Sequence, residues 1–367
     1  MLIGAGLFLE TIRNLRAIDL GFSPRNLVTF EVSFPRGTPA ERIRQTYEQI
    51  QERLESRPGV IAVSYSWLGL YEGGGWSSSM ETEERRAAPG EDNEVALMAV
   101  GPGFFETIGL ALREGRDLSA RDQGGPPVAV VNETLARRYF GQTSPIGRRI
   151  RLPGQQPELR EIVGVARDAK HLGARRQQWP MVYMPQVMEG SLPVVRSTVD
   201  LGLLGPSIRE TVRAVNSTAQ VERIQQVDDL VDRSFSGERL IATLSTSFAV
   251  LAAVLAAIGL YGVMAYTLAR RTSEIGIRMA LGAQRSHILW LVFQETLRVL
   301  IVGGAVGVAG AFASTHFVSS LLYGVKATDG FVFLGATLLL SAVALIAAFV
   351  PARRASRIDP MMALRYE

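Results

Sequence analysis

From Leu240 to Ala269 no charged residue interrupts the chain, and Arg239 and Arg270 bound the stretch. That length exceeds the ~20 residues needed to cross a bilayer core. A second uncharged run, Val299 to Val325, follows a helical lead-in from Ser286 through Trp290 and Phe293, and a third runs from Phe331 to Val350 before Pro351. None shows a polar face at helical spacing, so the pattern predicts three membrane helices near 240–269, 299–325 and 331–350. Between Phe22 and Asp232 the pattern changes to short alternating runs separated by polar turns. Leu27–Phe34 and Val60–Leu68 read as strands flanking a charged helix over Pro39–Arg57. Val128–Val131 and Glu161–Val165 read as short strands with a helix over Glu133–Phe140 between them. Leu70–Asn93 reads as a long mobile loop or hairpin, either a partner site or a solvated connection. Val227–Ser236 reads as helical and continuous with the first span, forming a stalk stiff enough to carry displacement. The short apolar run Met1–Leu9 is too short to span and lacks a cleavage site, so residues 1–20 read as the remnant of an N-terminal membrane helix. An external domain with no preceding span then implies a fragment, a late start codon or a lost upstream part.

Charge fixes the orientation. Arg270, Arg271, Arg278 and Arg285 lie between the first and second spans, and Arg353, Arg354, Arg357 and Arg365 follow the third. Both regions are predicted to be cytoplasmic, and the loop holding only Lys326 and Asp329 external, which places residues 21–235 outside the cytoplasm. The net charge of +4 comes from residues beside apolar stretches, not from a basic stripe with aromatics, so nucleic acid is not indicated.

Chemistry is sparse. The chain has no cysteine, which removes disulfides, thiolate metal sites and cysteine nucleophiles. No GxxxxGK[ST] phosphate loop, HExxH or Gly-x-Ser-x-Gly elbow occurs. His171, His287 and His316 are far apart in sequence. His171 reads as a surface loop residue, His287 as interfacial, and His316 as reaching headgroup water from the outer end of the second span. The expectation is a chain that is not an enzyme, with no catalytic, cofactor or metal residues.

The connection Arg270 to Ala283 is amphipathic and helix-capable, with Thr272 or Ser273 as cap, Glu274 and Arg278 at i,i+4, Ile277 and Leu281 on one side, and Gly282 as a stop. Such a helix lies along the membrane surface. The run Glu274, Ile275, Gly276, Ile277, Arg278, Met279, Ala280, Leu281, Gly282, Ala283 resembles the cytoplasmic signature of the MacB/FtsX-type permeases. The tail from Pro351 to Glu367 and the outer segment Leu322 to Asp329 are similar to that family too. So are Phe104–Leu110, Gly115–Asp117, Val130–Phe140, Pro145–Arg149 and Glu161–Val165 in the external part. The whole looks closest to the C-terminal module of duplicated orphan permeases, in which each module has four spans where this chain shows three.

The resemblance implies a membrane protein of the bacterial inner membrane: a MacB-like periplasmic core domain of α/β type over 21–235, and an FtsX-like permease domain over 236–367 with three C-terminal transmembrane α-helices. It further implies an ABC ATPase subunit that binds the ATP, met by Glu274, Ile275, Gly276, Ile277, Arg278, Ala280, Leu281 and Gly282. A second permease module, membrane lipid and a periplasmic protein complete the expected partners. Efflux or export with mechanotransmission is the expected role. Alternatives are a non-transporting regulator that activates an external partner, and an anchored binding module without an ATPase contact.

Overall fold

The computed structural model describes residues 2–67, 69–71, 75–84, 90, 92–152, 158–173, 178–271, 277, 285–318 and 329–355. It divides into two units, Met1–Ala17 with Phe235–Glu367, and Ile18–Ser234.

The second unit is built on one mixed sheet. Its strands are β1 (Leu27–Ser33), β2 (Val60–Ser66), β3 (Ser77–Ser79), β4 (Glu81–Thr82), β5 (Glu94–Val100), β6 (Leu112–Gly115), β7 (Val128–Asn132), β8 (Arg149–Arg151), β9 (Leu159–Ala166), β10 (Met181–Pro185), β11 (Leu192–Ser197) and β12 (Gln220–Gln226). The order is β12-β1-β11-β2-β5-β10-β7-β9-β8-β4, with β3 added on β5 and β6 on β9. The β5/β10 and β7/β9 pairs are parallel. Within 70–93, read from sequence as a mobile loop or hairpin, lie two short strands, of which β3 pairs with β5 and β4 with β8.

Period-two alternation explains the central strands. Met98 and Val100 of β5, Val130 of β7 and Tyr183 of β10 enter one core with Phe104, Phe105 and Ile108. Their neighbours Val95, Leu97, Ala129, Val131, Val182 and Met184 enter another on the opposite face. Because both faces are covered, the run Val128–Val131 is apolar throughout rather than alternating. A third core lies beneath two amphipathic helices. Helix α2 (Ala40–Glu55) buries Ile43, Tyr47, Ile50 and Leu54 at helical spacing. The fifth helix of the chain, Leu201–Val215, adds Leu204, Ile208 and Val212 against Phe30, Val63 and Val195.

Between them come the short α3 (Phe104–Ile108) and α4 (Glu133–Phe140), after which α5 is the helix Leu201–Val215. Asn132 ends β7 and caps α4, its Oδ1 accepting from Leu135 N at 3.0 Å and also from Met181 N at 2.9 Å. One side chain therefore fixes both the helix start and the start of β10.

The first unit is helical. It contains α1 (Leu2–Arg16) and the long helices α7 (Ser236–Arg270), α8 (Arg285–Val318) and α9 (Gly330–Ala355). Each long helix carries a stretch apolar enough to cross a membrane: Ser236–Arg270, Thr296–Ala313 and Gly330–Pro351. The helix of the second expected span, 299–325, is described as far as Val318, and residues 319–325 lie outside the described residues. Apolar side chains such as Leu251, Ile258, Ile301, Val302 and Ile346 are exposed along these helices, the surface a lipid environment requires. Helix α1 packs on α7 and α9 and buries Ala5, Leu7, Phe8, Thr11 and Leu15.

Candidate coupling site

Helix α7 ends at Arg270, where the amide of Arg271 donates to the carbonyls of Thr267 (3.2 Å) and Leu268 (3.1 Å). The guanidinium of Arg270 stands over the Tyr266 ring at 5.8 Å. A cation on the last turn also complements the negative end of the helix dipole. Helix α8 begins at Arg285, and five and eight residues later Trp290 and Phe293 stack with ring centroids 5.5 Å apart, both exposed. Exposed stacked aromatics just before an apolar span match the chemistry of the membrane–water boundary.

Between these helix ends Ile277 is helical and 47% exposed. Glu274, Ile275, Gly276, Arg278, Ala280, Leu281 and Gly282 lie outside the described residues. The side chains of His287 and His316 do too.

Within the helical unit an apolar cavity of about 710 Å³ opens between α1, α7, α8 and α9, lined by Leu7, Ala257, Gly303, Gly307, Leu340 and Ala344 among others. The hydroxyls of Thr337 and Ser341 on its wall donate to Phe333 O and Thr337 O of their own helix, both at 2.8 Å. Small residues at 303, 307 and 310 permit close approach of helices in lipid.

The expected uninterrupted stalk is replaced by two helices. Helix α6 (Val227–Ser234) ends and α7 begins across Phe235, whose φ of −101° and ψ of 11° lie outside helical geometry. Val227, Leu230 and Val231 of α6 are buried, and α6 packs on β1 and β12. The apolar face of this segment follows the sheet, which its sequence periodicity could not convey.

His171 is not on the surface. It is 1% exposed, with Nε2 3.2 Å from Met181 Sδ and its ring 5.8 Å from that of Tyr183. Its Nδ1 has no hydrogen-bond partner among the described residues. Burial lowers its pKa to about 4. The reason for the reversal is packing: the segment after β9 folds back against β10, and the imidazole fills the core beside Tyr183. A cavity of about 410 Å³ lies alongside, lined by Asn132, Lys170, Gln178, Trp179 and Met181 among others. Among the described residues no group of three or more His, Asp or Glu could hold a metal ion.

Comparisons with known proteins bear on both units. Residues 2–230 match the family described as MacB-like periplasmic core domain, and residues 246–360 match the FtsX-like permease C-terminal family. The chain is similar to an uncharacterized ABC transporter permease, YknZ, of Bacillus subtilis, with 25% identity over 288 residues, 76% of this chain and 71% of that one. It is similar to the macrolide export ATP-binding/permease protein MacB of Chromobacterium violaceum, with 28% identity over 323 residues, 82% of this chain and 48% of the relative. The chain thus spans about half the length of that MacB relative. Among solved structures, the periplasmic region of MacB from Actinobacillus actinomycetemcomitans aligns with 61% of this chain and 97% of its own, at 17% identity and a TM-score of 0.39. With a periplasmic core domain over one matched segment and an FtsX-like region holding the membrane helices over the other, the chain belongs to the MacB/FtsX-type ABC transporter permease family, as an inner-membrane protein with a large extracytoplasmic domain.

Proposed function

We propose that this chain is the permease module of an ABC-type transport or mechanotransmission system, coupling ATP hydrolysis by a separate ATPase subunit to movement of its periplasmic domain. The observation that carries this reading is the joining of two matched segments, a MacB-like periplasmic core domain and an FtsX-like permease region, in one chain. The 367 residues hold no phosphate loop, and this reading assigns the nucleotide to an ABC ATPase that meets them. The ATPase contact is assigned to Glu274, Ile275, Gly276, Ile277, Arg278, Ala280, Leu281 and Gly282, in the connection between α7 and α8. An exposed apolar Ile277 at a basic cytoplasmic loop suits a groove on a soluble partner. A second permease module completes the assembly, and a periplasmic protein receives the motion. Efflux is the favoured output, since the MacB relatives are named for macrolide export.

The test is affinity capture from gentle detergent extracts of the chain with its native neighbouring sequence. An ABC ATPase should copurify and should be lost, by at least tenfold, on the double change Ile277→Asp and Leu281→Asp. An intact membrane protein that recovers no ATPase would instead leave an anchored periplasmic domain.

A further inference from the structure

The single periplasmic sheet narrows at one seam, between β2 and β5. Strands β12, β1, β11 and β2 form one side, and β5, β10, β7, β9, β8 and β4 the other. Neighbouring strands on the first side pair over three or more residues, as β11 and β2 do from Leu192↔Ser66 to Ser197↔Val60, and on the second side the pairs run from two residues for β10/β7 and β4/β8 to five for β5/β10 and β7/β9. Across the seam β2 and β5 share a single pair, Ser66↔Val100. The backbone bonds there are Trp67 N to Ala99 O and Gly101 N to Tyr65 O, each 2.8 Å.

Connectivity sharpens the division. Every element of the second side, from β3 to β10, lies between β2 and β11, so residues 67–190 are one insertion into the first side. The chain crosses only after Ser66 and before Ser191, and the crossings are tied by Trp67 Nε1 donating to Glu189 O at 3.1 Å. Other joints are the packing of α3 on β2 and β11 through an apolar cluster around Phe104, Phe105 and Ile108, the guanidinium of Arg196 on the Thr107 carbonyl, Gln123 Nε2 donating to Tyr65 Oη, and Ser23 N donating to Ile108 O at 3.0 Å. Apolar contact is non-directional and permits sliding that a ladder of hydrogen bonds does not.

The chain arriving from α1 lies across this seam. Lys170 N donates to Leu20 O at 2.8 Å, and Asp19 pairs with Arg167, both on the inserted side. Gly21, at φ +80°, packs where a Cβ would collide with the Asp168 carbonyl. Two residues on, Ser23 is shared, its amide donating to Ile108 O of the inserted side and its carbonyl accepting from Arg196 of β11, and Arg25 O accepts from Arg196 on the first side, all at 3.0 Å. The departing chain, α6, packs on β1 and β12, again on the first side.

We infer that residues 19–25 are a strap across an articulated joint: the inserted body 67–190 hinges at the β2/β5 seam, α1 pulls on it through Leu20 and Gly21, and α7 pulls on the first body through α6. Relative displacement of the two membrane connections is thereby converted into rotation of the inserted body. The joint and strap stand on this geometry; their use in transmission rests on the coupling reading above. The Asp19–Arg167 pair is exposed and contributes little. The grip lies in the Lys170–Leu20 backbone bond, the close packing at Gly21 and the burial of Phe22.

The chain in lipid nanodiscs decides both parts by amide hydrogen exchange. The amides of Trp67 and Gly101 should exchange at least tenfold faster than the paired amides of β1. Oxidation of the Ser66→Cys/Val100→Cys variant should abolish the difference, and reduction restore it. Ser66 and Val100 face each other as a non-hydrogen-bonded pair, whose ~4.5 Å Cα spacing accepts a disulfide, and the native chain has no other cysteine. Gly21→Val, and independently Phe22→Ala, should release the strap and speed seam exchange about fivefold further while exchange in β7 is unchanged. Seam amides as slow as those of β1 would overturn the joint, and strap variants with unchanged seam exchange would overturn the strap. Failure to capture an ATPase would sink the coupling reading and leave these measurements intact.

Discussion

Arg196 turns its charge inward, and among the described residues it is met by carbonyls and by no carboxylate. Its guanidinium donates to the carbonyls of Thr107 (2.7 Å), Arg25 and Ser23 (both 3.0 Å), and burial lowers its pKa. Hydrogen bonds from a charged donor are worth ~1.5–3 kcal/mol each, and the half-exposed site lets water recover part of the loss, so Arg196→Met should destabilise by roughly 3 kcal/mol. Lysine places one point charge where a planar fork spans three acceptors, so Arg196→Lys should restore less than half of that. Urea titration of the detergent-solubilised chain measures both. His171 makes stability depend on pH. The unfolded imidazole takes its proton near 6.5 and the folded one near 4, so between these values the unfolded state binds more protons. The contribution is complete above about pH 6.5 and is lost as pH falls toward 4, by roughly 3 kcal/mol in all. His171→Leu should flatten that part of the stability curve, and because Nδ1 is unpartnered the change should cost little at pH 7.5.

At the scale of elements, packing decides what propensity leaves open. Helix α1 meets α9 through Gly6, where a Cβ would stand 2.7 Å from Val332 Cγ1. Valine has one strongly preferred rotamer in a helix and cannot swing clear. Gly6→Ala is expected to destabilise the helical unit by ~1–2 kcal/mol despite alanine's better helix propensity, read as a lower melting temperature in detergent. The edge strand β12 shows the opposite use of local irregularity. Its pairing with β1 shifts between Thr29 and Glu31, and Arg223 sits there at φ +44° with its guanidinium paired to Glu31. A bulge carrying a charged side chain blocks the addition of another strand at that edge.

At the scale of the molecule, the bilayer divides the chain's tasks. The apolar helices suit lipid, the MacB-like domain is extracytoplasmic, and the excess of basic residues at the α7–α8 connection predicts that it is cytoplasmic. Single cysteines in this cysteine-free chain test the arrangement directly. A membrane-impermeant maleimide should label Gln142→Cys in cells with a permeabilised outer membrane, and Ile277→Cys only after lysis. Labelling of Ile277→Cys from outside would reverse the topology.

The sequence by itself determined the three spans, the orientation, strands β1, β2, β7 and β9, helices α2 and α4, and the family, because hydrophobic period, charge asymmetry and short motifs are local properties. The proposed contact from Glu274 to Gly282 was legible only as a motif. Tertiary structure alone decided the rest. β3 and β4 are too short to carry a period, and they exist because β5 and β8 offer them backbone partners. The stalk breaks at Phe235 where helical periodicity ran on, since the α6 face must follow β1 and β12. His171 is buried because a polar loop sequence does not reveal which core it returns to. The seam at Ser66↔Val100 arises from pairing between strands distant in sequence, for which no local pattern exists.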